Sequence, residues 1–171
     1  FYEQVEFLRA RKKQLPTHIR YGAMLEVPAL ADALDQLVGE LDFLSVGTND
    51  LTQFLFAADR SHPRLAERYD WLSPAILRFL RRIAQQLEGT QVQLSVCGEM
   101  GGRPLEALAL LGLGYCRLSI TPAAVGPIKA MVRSLDLAAA SSFMEACLAN
   151  PPRDMRAALT RWTTENGVDI G

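Results

Sequence analysis

The sequence predicts an α/β fold built on a parallel sheet, and three observations carry that expectation. Short apolar runs alternate with amphipathic helical stretches in the order βαβαβαβ. Each run closes on a glycine or a polar turn. The stretches between them are long enough to serve as crossover helices. At 171 residues the chain suits one domain with a substantial core. Two architectures satisfy the pattern, an open doubly wound sheet and half of an eight-stranded barrel. In both, ligands meet the carboxyl ends of the strands. No G-x-G-x-x-G follows the first strand, so a dinucleotide site has no support.

The elements follow in order. "YEQVEFLRARKKQ", 2–14, reads as a helix with a narrow apolar stripe at Val5 and Leu8, which Phe7 can join, and a solvated basic face from Arg9 to Lys13. "YGAMLEV", 21–27, is a strand. Pro28 suits the first position of the helix "PALADALDQLVGEL". "DFLSVG", 42–47, is the second strand, and a helix starts near Asn49 and Asp50 and fades around Asp59. A proline-marked polar insertion spans about 60–74. In "PAILRFLRRIAQQLE", Ile76, Leu80, Ile83 and Leu87 recur at helical spacing. "VQLSVCG", 92–98, is the third strand, "PLEALALLGLG" a helix closed by glycines, and "CRLSI", 116–120, the fourth strand. Helices are expected from about 122, with Gly126-Pro127 near the true start, and over about 136–149 and 152–166. The tail "TENGVDIG" is expected to fray.

Composition narrows the function classes. Hydrophobic residues make up 49% and the formal net charge is −1, which excludes a disordered tail and gives no electrostatic case for nucleic acid. No apolar run reaches membrane-spanning length. Three cysteines, Cys97, Cys116 and Cys147, lack paired metal spacing and suit reduced thiols in a cytoplasm. The chain opens on Phe1, which points to a portion of a longer protein.

The four strand ends hold the chemistry. They offer Glu26; Thr48, Asn49 and Asp50; Cys97, Gly98 and Glu99; and Ser119 with Thr121. This oxygen-rich, histidine-free set suits a hard cation such as Mg²⁺ better than zinc. Each residue also has a purely structural reading. Asn49 or Asp50 suits the cap of a helix beginning at Leu51, and Cys97 suits a small buried hydrophobe. Arg60 reads equally as a surface charge. Glu26 is harder to explain away, because a carboxylate within "AMLEVP" needs a cation or several donors nearby. His18 and His62 stand in loop-like contexts and read as structural or solvated.

Taken together, "GAMLEVP", "DFLSVGTNDLTQFLFAADR", "LSVCGEMGG" and "LLGLGYCRLSI" resemble the phosphoenolpyruvate-binding barrel of Enzyme I of the bacterial phosphotransferase system, the phosphoenolpyruvate-protein phosphotransferases. The wording is closest to the nitrogen-regulatory paralogue, and the match runs from about Tyr21 to Arg133. The resemblance implies the carboxyl-terminal half of a (β/α)₈ TIM barrel, about four βα units with C-terminal helices over residues 1–171. It implies that Glu26 and Asp50 are ligands of Mg²⁺ and that Asn49 and Arg60 contact the phosphoryl group. It also implies that Cys97 is the acid that protonates the enolate of pyruvate. Phosphate would pass from phosphoenolpyruvate through an enzyme histidine to an HPr-like phosphocarrier protein. The upstream half-barrel and the domain bearing that histidine would lie outside these residues, so the segment alone would be inactive. A homodimer is expected, and a half-barrel would also self-associate through its exposed edge and apolar faces.

Departures from the family pattern are Arg103, where an acid is common, and Ile120 and Thr121, where methionine and a small polar residue are expected. Pyruvate phosphate dikinase and phosphoenolpyruvate synthase share parts of the signature, and a non-catalytic regulatory remnant is the alternative of a different class. The intact set Glu26, Asn49, Asp50, Arg60 and Cys97 argues against decay.

Overall fold

The computed structural model describes residues 2–14, 16–59, 61–66 and 70–171. Three parallel strands in the order β1-β2-β3 form the sheet: β1 (Gly22–Leu25), β2 (Phe43–Gly47) and β3 (Gln93–Cys97). The expected fourth strand shrinks to one parallel bridge between Leu118 and Val96. Val96 N donates to Arg117 O at 2.9 Å and Ser119 N to Val96 O at 2.8 Å. Pro122 then turns the chain into a 3₁₀ turn, Pro122–Ala124, so the ladder has nowhere to continue.

Alternation sorts the sheet into two faces. Leu25, Leu44, Val46 and Val96 have no solvent exposure and form the centre of the core. Each fully buried aliphatic side chain of this kind contributes about 1.5–3 kcal/mol. The opposite face carries Met24, Phe43, Ser45 and Ser95. It is more open, with Met24 52% and Phe43 38% exposed.

The helices run α1 (Tyr2–Ala10), α2 (Pro28–Ala31), α3 (Leu34–Leu37), α4 (Thr48–Phe56), α5 (Pro63–Ala66) and α6 (Pro74–Leu87). After β3 come α7 (Pro104–Gly112), α8 (Val125–Ser134), α9 (Leu137–Ala149) and α10 (Met155–Glu165). In α6 the predicted stripe is the buried one: Ile76, Leu80 and Ile83 have 1% exposure or less and Leu87 has 6%. Ser73 caps it, accepting from Ile76 N, with Pro74 in the first turn. Asp136 and Asp154 cap α9 and α10 in the same way. Helix α7 is apolar nearly all round because the rest of the molecule surrounds it, and Met144 of α9 lies against Gly112.

Several expectations are corrected. The first helix ends at Ala10, where Lys12 turns left-handed (φ 53°) and Lys13 N donates back to Leu8 O. The single helix expected from Pro28 splits in two. Gln86 of α6 donates to Ala31 O at 3.0 Å, diverting that carbonyl from the helical ladder. The tail is packed. Val168 is buried, its N–H donates to Thr163 O at 2.9 Å, and Asp169 N donates to Ser134 Oγ at 2.9 Å. Among the described residues no helix is long and apolar enough to cross a membrane.

Tyr115 is buried without exposure and donates its hydroxyl to Leu80 O at 2.8 Å. Burial pushes its pKa well above the ordinary tyrosine value. Its contribution to stability is therefore complete below pH about 10 and is lost as pH climbs toward the folded-state value. We expect unfolding free energy above that pH to fall by up to about 1.4 kcal/mol per pH unit from this residue. In Tyr115→Phe that component of the slope should vanish in denaturant titrations.

Candidate functional site

The strand register builds the site. Leu25 pairs with Val46, Val46 with Val96, and Val96 with Leu118, giving one apolar row across the sheet. One residue further on, at the carboxyl edge, stand Glu26, Gly47, Cys97 and Ser119. Alternation turns the side chains of this second row away from the core face. Glu26 and Cys97 lie two strands apart, about 10 Å between backbones. Between them is Gly47. A Cβ on Gly47 would stand 2.7 Å from Glu26 Cγ and 2.8 Å from its Oε1, so the glutamate side chain occupies the space that the glycine leaves.

Thr48, Asn49 and Asp50 open α4, but none of them caps it. The cap position is Gly47, with no side-chain bond to the helix. The capping reading of Asn49 or Asp50 is thereby corrected. Thr48, 1% exposed, donates its hydroxyl to Cys97 O at 2.9 Å. Asn49 Oδ1 accepts from Glu99 N at 3.2 Å. Both bonds fasten the start of α4 to the turn after β3. With its oxygen engaged, Asn49 keeps its amide NH₂ as the group able to donate to a ligand. Asp50 sits in the first turn of α4, where the helix dipole favours a negative charge.

Glu26, Asn49, Asp50 and Cys97 are all half-buried. Arg60, the remaining residue expected at the site, lies outside the described residues. Among the described residues neither the Glu26 nor the Asp50 carboxylate accepts a hydrogen bond or pairs with a cation, and no three His, Cys, Asp or Glu side chains gather as a metal cage. Two carboxylates at one edge fit a hard cation that takes its other oxygens from water and ligand, the habit of Mg²⁺. All three cysteines are free; Cys97 is half-buried, Cys116 exposed and Cys147 buried. His18 and His62 are exposed, the latter accepting from Arg64 N in a local turn.

Two glycines take roles that the sequence alone does not assign. Gly47 reads only as the end of an apolar run, and its role emerges from Glu26 lying over it. Gly98 has φ 102°, and a Cβ there would meet Thr48 Oγ1 at 2.7 Å and Asn49 Oδ1 at 3.1 Å.

The sequence is similar to those of known proteins. Residues 1–137 match the family described as PEP-utilising enzyme, PEP-binding domain. A Salmonella typhimurium protein named phosphoenolpyruvate-dependent phosphotransferase system is 47% identical over 117 residues, covering 68% of this chain and 16% of that protein. Its Escherichia coli namesake is 44% identical over 143 residues, covering 81% and 19%. The phosphoenolpyruvate-protein phosphotransferase of Borreliella burgdorferi is 36% identical over 126 residues, covering 74% and 22%. The chain thus spans less than a quarter of the length of these relatives.

Gly98→Ala meets both a backbone and a space restriction. It should lower unfolding free energy by roughly 1–3 kcal/mol, measured by denaturant titration. The amide of Glu99 should lose exchange protection as Asn49 is displaced.

Proposed function

Since the chain belongs to the phosphoenolpyruvate-utilising enzymes, through their phosphoenolpyruvate-binding domain, we propose that it is the phosphoenolpyruvate-binding portion of a phosphoenolpyruvate-protein phosphotransferase. In this reading phosphate passes from phosphoenolpyruvate to an enzyme histidine and on to an HPr-like phosphocarrier protein, and pyruvate is released. The observation that carries it is the carboxyl edge of the sheet. There a single row places Glu26 and Cys97 either side of Gly47, with Asn49 and Asp50 immediately beyond.

The roles follow from chemistry. Glu26 and Asp50 would hold Mg²⁺, which when bound neutralises phosphate and enolate oxygens. Asn49 donates its amide N–H to the phosphoryl group, and Arg60 opposes its charge. Cleavage of the phosphorus–oxygen bond leaves an enolate. The Cys97 thiol gives its proton to the methylene carbon and is reprotonated from solvent. Phosphoryl transfer needs positioning and charge neutralisation above all, and this edge supplies groups for both.

The open sheet face supports the barrel half of the reading. Met24, Phe43, Ser45 and Ser95 face away from the helix-covered core, as lining residues of a (β/α)₈ barrel would. Further strands of the same barrel would cover them. Left uncovered, the same face supports self-association or a homodimer. The three free thiols support a cytoplasmic setting. The wording of the strand-end segments supports the nitrogen-regulatory branch.

The test uses the native gene product, incubated with phosphoenolpyruvate and Mg²⁺ without nucleotide. Acid-labile phosphohistidine and pyruvate are expected, with both lost in Asp50→Ala and pyruvate formation slowed in Cys97→Ala. Labelling that requires ATP would move the assignment to a dikinase or synthase, and no labelling with or without nucleotide would leave a regulatory binding module. Gly47→Ala offers a finer check. Its φ of −82° suits alanine and the displaced atoms are the end of a flexible side chain. Its melting temperature should change by only a few degrees, while labelling at limiting Mg²⁺ falls by about tenfold or more.

A further inference from the structure

Helix α7 carries a carboxylate in an apolar setting. Glu106 is 2% exposed and stands among Leu105, Ala107 and Leu108, all buried. A buried carboxylate requires a close partner, and the partner is Arg156 of α10, whose Nη2 lies 2.7 Å from Glu106 Oε1. Burial lowers the Arg156 pKa, but the hydrogen bonds to Glu106 and Asp70 outweigh it and the group is held more firmly charged. The core needs nothing more from Arg156. Yet the same Nη2 reaches outward to Asp70 Oδ1 at 2.8 Å. Asp70 is about half-exposed, so its charge does not demand a partner as that of buried Glu106 does.

Asp70 opens the segment Asp70–Leu72, which brings the chain from the insertion back into α6. Its three residues are held in three ways. Asp70 Oδ1 accepts from Arg156 Nη2 and, within the segment, from Leu72 N at 3.0 Å. The Arg103 guanidinium stacks over the Trp71 ring, 4.8 Å from its centroid. Leu72 is buried without exposure. Arg103 joins the turn Met100–Gly102 to α7, directly after Cys97, Gly98 and Glu99. The arrangement therefore ties the segment between α5 and α6 to the turn that follows β3, the strand that ends at Cys97. Arg156 lies beyond residue 137, where the family match ends.

We propose that Arg156 and Asp70 are positioning residues for phosphoenolpyruvate binding. Arg156, seated by buried Glu106, holds Asp70–Leu72 against the Cys97 side of the site. This rests on the phosphoenolpyruvate reading above.

The decisive variant is Asp70→Asn in the native gene product, because it leaves the Glu106–Arg156 pair intact. The rate of phosphohistidine formation is followed against phosphoenolpyruvate concentration at saturating Mg²⁺, and amide exchange is followed over residues 70–72 and over α7 and α10. The expected result is a half-saturating concentration raised about tenfold, with the maximal rate within about twofold. Exchange should quicken at 70–72 and stay unchanged in α7 and α10. Arg156→Lys, which keeps the charge but loses the planar fork, should fall between Asp70→Asn and the wild type. Unchanged half-saturation in an active Asp70→Asn enzyme would overturn the proposal, as would unchanged exchange at 70–72. Wild-type protein that forms no phosphohistidine would instead overturn the functional reading on which it rests.

Discussion

The parallel register of the three strands is the constraint on which the site depends. Leu25, Val46, Val96 and Leu118 share one apolar row, and burial of that row leaves no freedom in pairing. A slip of one residue would turn the core set to the open face and carry Glu26 and Cys97 inward. The cost of burying the Glu26 carboxylate in place of Leu25 therefore enforces the placement of the chemical groups. The same burial that holds the sheet together aligns the acid groups and the thiol at its edge.

Around this row the chain uses polar atoms to fix backbone against backbone. Thr48 gives its hydroxyl to Cys97 O, and Asn49 gives its oxygen to Glu99 N. These bonds span two strands' turns and need the bare Gly98 between them. Ion pairing on the outer side has the same character. Glu106 and Arg156 form a pair that the core demands, and Asp70 joins it from a half-exposed position. The surface pair of Arg9 with Glu6 bridges exposed side chains within one helix and contributes little.

The sequence made the strand ends legible because each apolar run stops at a polar cluster, and it made α6 legible because its apolar spacing fits a helix. It could not show that Glu26 folds over Gly47, since a glycine after an apolar run has many uses and the two residues are far apart in the chain. It could not show the division between α2 and α3, where Gln86 of another element bonds to Ala31 O. The packed tail was hidden for a similar reason, its partner Ser134 lying at the end of α8. The need of Glu106 for a cation went unread in "PLEALALLG", and nothing in the linear pattern selects Arg156 among many arginines. The fourth strand was overestimated because periodicity measures suitability for a strand and not the availability of ladder partners.

The unequal crossovers of the sheet order its assembly in time. The connection from Glu26 to Asp42 is less than half as long as the one from Thr48 to Val92. Closing the longer connection costs somewhat more chain entropy, below about 1 kcal/mol by length alone. It must also bring α4, α5 and α6 into place before β3 can dock. Contact order thus favours pairing of β1 with β2 ahead of β2 with β3. A refolding chain brings its two carboxylates to a common edge first, and the thiol arrives with the last strand.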